Sequence, residues 1–122
     1  MKIDHINIAA PLPLLQACRD FYCAVLELEE GPRPDFGVPG YWLYGDGHPI
    51  VHLIEKNQQC DPEQPRYLDH VAFAVQNLPA YIARLEQHGV KYSVREIPEY
   101  KISQVFCNDP CGNGVEANIA NG

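Results

Sequence analysis

Three histidines and one glutamate in this 122-residue chain stand at matched positions of an internal repeat. IDHINIAA, Ile3 to Ala10, returns as LDHVAFAV, Leu68 to Val75, which sets His5 over His70 at an offset of 65 residues. Later in each copy PIVHLIE, Pro49 to Glu55, lies over NGVEANI, Asn113 to Ile119, which sets His52 over Glu116 at an offset of 64. Imidazole nitrogens and carboxylate oxygens are ligands for divalent transition metals. Three imidazoles and one carboxylate from equivalent strand pairs would meet on a single cation if the copies pack about a pseudo-twofold axis. A lone strand histidine is usually a matter of packing. Four ligand-type residues at repeat-related places argue for a metal centre.

The elements that must position them follow from periodicity. Each copy reads as a strand, a helix and three strands, with repeat one at 1–56, a polar linker at 57–66 and repeat two at 67–122. Alternation predicts a first strand over Ile3 to Ala9, and helical spacing predicts a helix from Pro13 to Leu26 with Leu14, Cys18, Phe21 or Tyr22, and Val25 on one face. In the second copy Asn77 is the expected N-cap, Leu78, Ile82 and Leu85 the apolar stripe, and Gly89 the stop. Leu-Pro opens both helices, at Leu12-Pro13 and Leu78-Pro79, where a missing N–H costs nothing. Strands are expected at Glu27 to Glu30, Tyr41 to Tyr44 and Pro49 to Lys56, then at Lys91 to Ile97, Ile102 to Cys107 and Gly114 to Ala120. GDGHP and NDPCGNG are the tight turns before the last strand of each copy. GPRPDFGVPG, Gly31 to Gly40, is six-tenths Gly and Pro and reads as a loop over the mouth of the site.

A period of two along each strand decides which residues share the ligand face. Asn7 falls on it with His5. Trp42 and Phe106 each precede the ligand of their copy by ten residues, so they are equivalent, and Tyr44 and Gln104 share their faces. Asn7, Trp42, Tyr44, Gln104 and Phe106 are therefore the expected pocket walls.

Composition narrows the classes. The length suits one domain over 1–122, and no apolar run approaches the ~20 residues of a membrane span. MKIDHINIAA carries no signal-like apolar region, so a cytoplasmic protein is expected. The five cysteines, Cys18, Cys23, Cys60, Cys107 and Cys111, include no CxxC pair and fit a reducing compartment. A formal charge of −7 argues against nucleic acid as a partner and is compatible with capture of a cationic small molecule.

Paired βαβββ units, a histidine early in each copy and the ending F-x-x-D-P-x-G-N-x-x-E, Phe106 to Glu116, resemble the vicinal oxygen chelate superfamily. That group includes glyoxalase I, fosfomycin-resistance transferases, extradiol dioxygenases and bleomycin-binding proteins. The resemblance covers essentially the whole chain and implies an α+β fold, two βαβββ repeats forming a curved mixed sheet around a metal-binding cleft. It implies that His5, His70 and Glu116 are metal ligands, and that His52 stands at a fourth ligand position that is Glu or Gln in glyoxalase I. It also implies one divalent ion (Zn, Ni, Mn or Fe), a substrate chelating through vicinal oxygens, and a homodimer. The expected activity is of the glyoxalase-like lyase or isomerase type, through a metal-stabilised enolate, with Glu116 as catalytic base. An extradiol-type Fe(II) dioxygenase using His5, His70 and Glu116 is the alternative enzyme. A drug- or metabolite-binding protein of the bleomycin-resistance type is the alternative from another class.

Overall fold

The computed structural model describes residues 1–57 and 67–121, which form two compact units, one within Met1–Gln64 and one within Pro65–Gly122. Most of the expected linker, with Cys60, lies outside the described residues. The fold is α+β, and each unit has the expected strand, helix and three strands.

The first unit runs β1 (Ile6–Ala10), α1 (Leu12–Val25), β2 (Glu29–Gly31), β3 (Gly40–Gly45) and β4 (His48–Glu55). Its sheet has the order β1-β4-β3-β2, with β1 parallel to β4 and the other pairs antiparallel. The second runs β5 (His70–Ala74), α2 (Leu78–Gln87), β6 (Ser93–Ile97), a 3-10 turn at Pro98–Tyr100, β7 (Ile102–Asn108) and β8 (Gly114–Ala120). Its order is β5-β8-β7-β6, with the same pattern of directions. The ladders repeat as well: Asn7 pairs with His52 as Ala72 pairs with Glu116.

Strand alternation divides each sheet into a core face and a second face. Leu43, Val51 and Leu53 are fully buried in the first unit, where α1 lies against β3 and β4. Val105, Val115, Ala117 and Ile119 do the same for the second, and Tyr81 and Leu85 are the fully buried residues of α2. Burying each of the Val, Leu and Ile side chains contributes roughly 1.5–3 kcal/mol relative to leaving it in water. The ligand-type residues lie on the other face, where β1 exposes Asn7 and β5 exposes His70 and Ala72.

Local rules explain the ends of the elements. Asp46 and Gly47 both have positive φ, at 50° and 77°, the paired left-handed geometry of an Asp-Gly hairpin between β3 and β4. The Asn77 side chain caps α2 by accepting from the Ala80 N–H at 3.2 Å, and Gly89 follows the helix at φ 66°. Several expectations shift. On α2 the buried residues are Tyr81 and Leu85, with Leu78 and Ile82 half-buried, and β2 and β6 each begin two residues later than expected. The buried stripe of α1 begins at Leu15 rather than at Leu14, which is 36% exposed, while Cys18, Phe21, Tyr22 and Val25 are buried as expected. The first strand begins at Ile6 rather than Ile3, and the Asp4 carbonyl before it takes a contact from His48 Nε2 at 3.0 Å. The 3-10 turn after β6, closed by Lys101 at φ 53°, carried no pattern that predicted it. No helix among the described residues is long and apolar enough to cross a membrane.

Candidate metal-binding residues

His5 and His70 are oriented in the same way. His5 Nδ1 donates to Asp4 Oδ2 at 2.6 Å, and His70 Nδ1 donates to Asp69 Oδ2 at 2.8 Å. A carboxylate on Nδ1 fixes the tautomer and leaves the Nε2 lone pair of each ring for another electrophile. The two aspartates were not singled out by spacing arguments, although the signal was present: Asp precedes His in both copies of the repeat. Asp4 also stands 3.2 Å from His48 Nε2, and its carboxyl is held below the usual range, first by the His5 hydrogen bond. The Asp69 hydrogen bond raises the His70 pKa above its ordinary value, with burial opposing and Glu116 adding a smaller push.

Glu116 projects from β8 beside His70. Its Oε1 is 3.3 Å from His70 Nε2, and its Oε2 accepts from Gln104 Nε2 at 3.4 Å. The residue is only 5% exposed. A buried carboxylate with one long amide contact is costly unless a cation lies at its other oxygen, and an imidazole nitrogen there completes a two-donor arrangement suited to a metal. Phe106 pairs with Glu116 across the β7–β8 ladder, as expected, and its ring meets His70 edge-on at 6.1 Å. His70 and Phe106 border a cleft of about 370 Å³ whose walls also include Lys91, Ser93 and Asn108. Neither Lys91 nor Asn108 is among the pocket walls expected from the sequence.

Close approach of β5 to β8 depends on Gly114, the ladder partner of His70. A Cβ at that position would lie 2.5 Å from the Asp69 carbonyl oxygen and 2.8 Å from the His70 Cβ. Only a glycine lets the Asp69-His70 pair lie so near the Glu116 strand.

The first unit arranges its pair differently. His5 and His52 are stacked, with ring centres 3.8 Å apart and planes 8° from parallel. Trp42, the ladder partner of His52, stacks on the opposite face of that ring at 4.2 Å. Phe36 of the Gly/Pro-rich loop extends the column at 6.3 Å from Trp42, and Arg33 lies over Phe36 at 4.9 Å. His52 Nε2 donates to the Pro49 carbonyl at 3.1 Å. Burial, then the neighbouring His5, holds the His52 pKa below its ordinary value. Asn7 shares the ladder row of His52 and is exposed.

Tyr44 takes another course. A register shift between Leu43 and Tyr44 pairs Tyr44 with Pro49, and its hydroxyl donates to the Pro32 carbonyl at 2.5 Å. Its ring covers Gly31 on the edge strand, where it borders a separate groove with Glu27, Glu29 and Glu30. Thus the first unit brings together His5, His52 and Trp42, and the second His70, Glu116, Gln104 and Phe106. Cys107 is buried and Cys111 half-buried.

A family model described as the Glyoxalase/Bleomycin resistance protein/Dioxygenase superfamily matches residues 2–117. No curated protein matches the chain. Among solved structures, a glyoxalase family protein from Bacillus anthracis is 23% identical with a TM-score of 0.74, covering 99% of this chain and 96% of that one. A variant of the fosfomycin resistance protein FosX from Listeria monocytogenes, complexed with Mn(II) and a dihydroxypropylphosphonic acid, is 17% identical with a TM-score of 0.73 and coverages of 98% and 92%. Lactoylglutathione lyase from Agrobacterium tumefaciens is 18% identical with a TM-score of 0.64 and coverages of 97% and 92%. At these identities the structural likeness speaks for the fold. With the family match over nearly its whole length, the chain belongs to the glyoxalase/bleomycin resistance protein/dioxygenase group, the vicinal oxygen chelate superfamily.

Proposed function

We propose that this protein is a cytoplasmic metal-dependent enzyme of the glyoxalase-like type, acting on a small substrate that offers two adjacent oxygens. His5, His70 and Glu116 would hold one divalent ion, with His52 at the fourth repeat-related position. The observation that carries the reading is the approach of His70 Nε2 to Glu116 Oε1 at 3.3 Å, with His70 Nδ1 already engaged by Asp69. The matching Asp4–His5 pair supports it from the first copy.

A divalent ion would supply Lewis acidity to the chelated oxygens and lower the cost of charge developing on them. The chain's own groups do the rest. Asp4 and Asp69 orient the imidazoles, Phe106 packs edge-on against His70, and Gln104 holds one oxygen of Glu116. Glu116, swinging off the ion, would be the base for a proton alpha to a carbonyl. Lys91, on the cleft wall, would favour a substrate with an anionic group. A complete set of ligand-type residues favours an enzyme over a sequestering protein.

The test is elemental analysis of protein purified without chelator, followed by a screen of 2-oxo-aldehyde adducts, epoxides and 2-hydroxy ketones with the metal found. Stoichiometric metal and turnover of one class support the reading. Oxygen uptake with catechols would move it to the dioxygenase branch. Metal-free protein that returns a tightly bound compound unchanged would make it a binding protein.

A further inference from the structure

The two repeat-equivalent pairs meet in different ways, and the difference bears on how many side chains hold the ion. In the second unit, His70 and Glu116 approach edge to edge, donor atom to donor atom. In the first, His5 and His52 lie face to face.

A ring nitrogen coordinates along its lone pair, in the plane of the imidazole. When two rings are stacked 3.8 Å apart and 8° from parallel, an ion in the plane of one stands out of the other's plane by most of that separation. This displacement exceeds the whole Zn–N bond of about 2.0–2.1 Å. One ion therefore cannot bond both rings as they are arranged. Turning His52 to remove the conflict would break its contact with the Pro49 carbonyl and its stack on Trp42. His5 sits at the end of the column, its Nδ1 on Asp4 as His70 Nδ1 is on Asp69, with Nε2 left for coordination.

From this we infer that His52 is a positioning residue: wedged between Trp42 and His5, it backs the His5 ring and leaves the ion three side-chain ligands, His5, His70 and Glu116. The inference rests on the proposed metal centre. It deepens that reading, because three ligands on a six-coordinate ion leave three positions, one more than a substrate bound through two oxygens fills. The extra position suits a small co-ligand such as water.

The experiment is a titration of the full metal-free chain with Zn(II) by calorimetry, comparing wild type with His52→Phe, His52→Ala, His5→Ala and His70→Ala. Circular dichroism monitors folding. Quenching of Trp42, the sole tryptophan, by Co(II) gives a second readout. Phenylalanine keeps a flat ring in the column and has no donor atom. His52→Phe should bind Zn(II) within about threefold of wild type. His52→Ala, which removes the backing, should bind about 10-fold more weakly, in the range seen when an orienting partner is lost. His5→Ala should lose more than about 100-fold, beyond that range. If His52→Phe loses as much as His5→Ala, His52 is a ligand and the inference is overturned. Wild-type affinity in His52→Ala overturns the positioning role, and should that variant unfold, His52→Phe decides alone. Wild-type affinity in both His5→Ala and His70→Ala would instead overturn the metal centre itself, and the inference with it.

Discussion

His70 and Glu116 are diagonal neighbours across the β5–β8 ladder: His70 pairs with Gly114 and Glu116 with Ala72, yet Nε2 and Oε1 stand 3.3 Å apart. The diagonal is open because Gly114 has no side chain to fill it.

Gly114→Ala should therefore damage both stability and metal binding. Its methyl group would meet the Asp69 carbonyl and the His70 Cβ, and relief requires β5 to move. Overpacking of this kind costs about 1–3 kcal/mol. Gly112→Ala is the control: its φ of 85° strains any side chain, but no atom lies within 4 Å of the added carbon. It should lower the melting temperature and leave Zn(II) affinity within about twofold. Equal affinity losses in the two variants would show that Gly114 has no special bearing on His70.

Asp69→Ala should weaken Zn(II) binding by about 10–100-fold, the usual effect of removing the carboxylate that orients a ligating histidine. Stability should change little, because the Asp69 side chain is 92% exposed. Asp4→Ala should act similarly on His5. Unchanged affinity in the double variant would mean that the Asp-His pairs are incidental.

The metal-free protein should show two histidines displaced in opposite directions. The hydrogen bond to Asp69 raises His70, whereas burial and then His5 lower His52. For His70, the folded pKa lies above the unfolded value of about 6.5, so its stabilisation is full below that value and is lost as pH rises through the folded pKa. For His52 the unfolded chain binds the proton first, and stability is lost as pH falls from about 6.5 through the folded pKa. Imidazole resonances followed by NMR should give a higher midpoint for His70 than for His52. The reverse order would contradict the arrangement of both rings.

A homodimer is expected in solution, since most soluble oligomers are twofold. Light scattering across the micromolar range should give twice the chain mass of 13.7 kDa. A monomer throughout that range would refute this.

Much of this arrangement was legible from spacing alone. The ten-residue interval that made Trp42 and Phe106 equivalent is realised as direct ladder pairing, Trp42 with His52 and Phe106 with Glu116. Repeat offsets and strand period carry such information because they are properties of the backbone. Contacts made by side chains within one turn of chain were less visible. That His5 leans on Asp4 depends on rotamers, and a period of two would send adjacent side chains to opposite faces. The contact of the Tyr44 ring with Gly31 depends on the direction of one long side chain and leaves no mark in composition. Stacking of His52 between Trp42 and His5 needed coordinates, because register fixes a row but not the tilt of a ring.

Metal stoichiometry in the ligand variants tests the central claim most directly. Full-length wild type, His70→Ala and Glu116→Ala would be dialysed against Zn(II), with bound metal measured per chain and folding followed by circular dichroism. The account predicts one ion per wild-type chain, and folded variants that lose it at Zn(II) concentrations that saturate the wild type. Stoichiometric Zn(II) retained by both folded variants would contradict it.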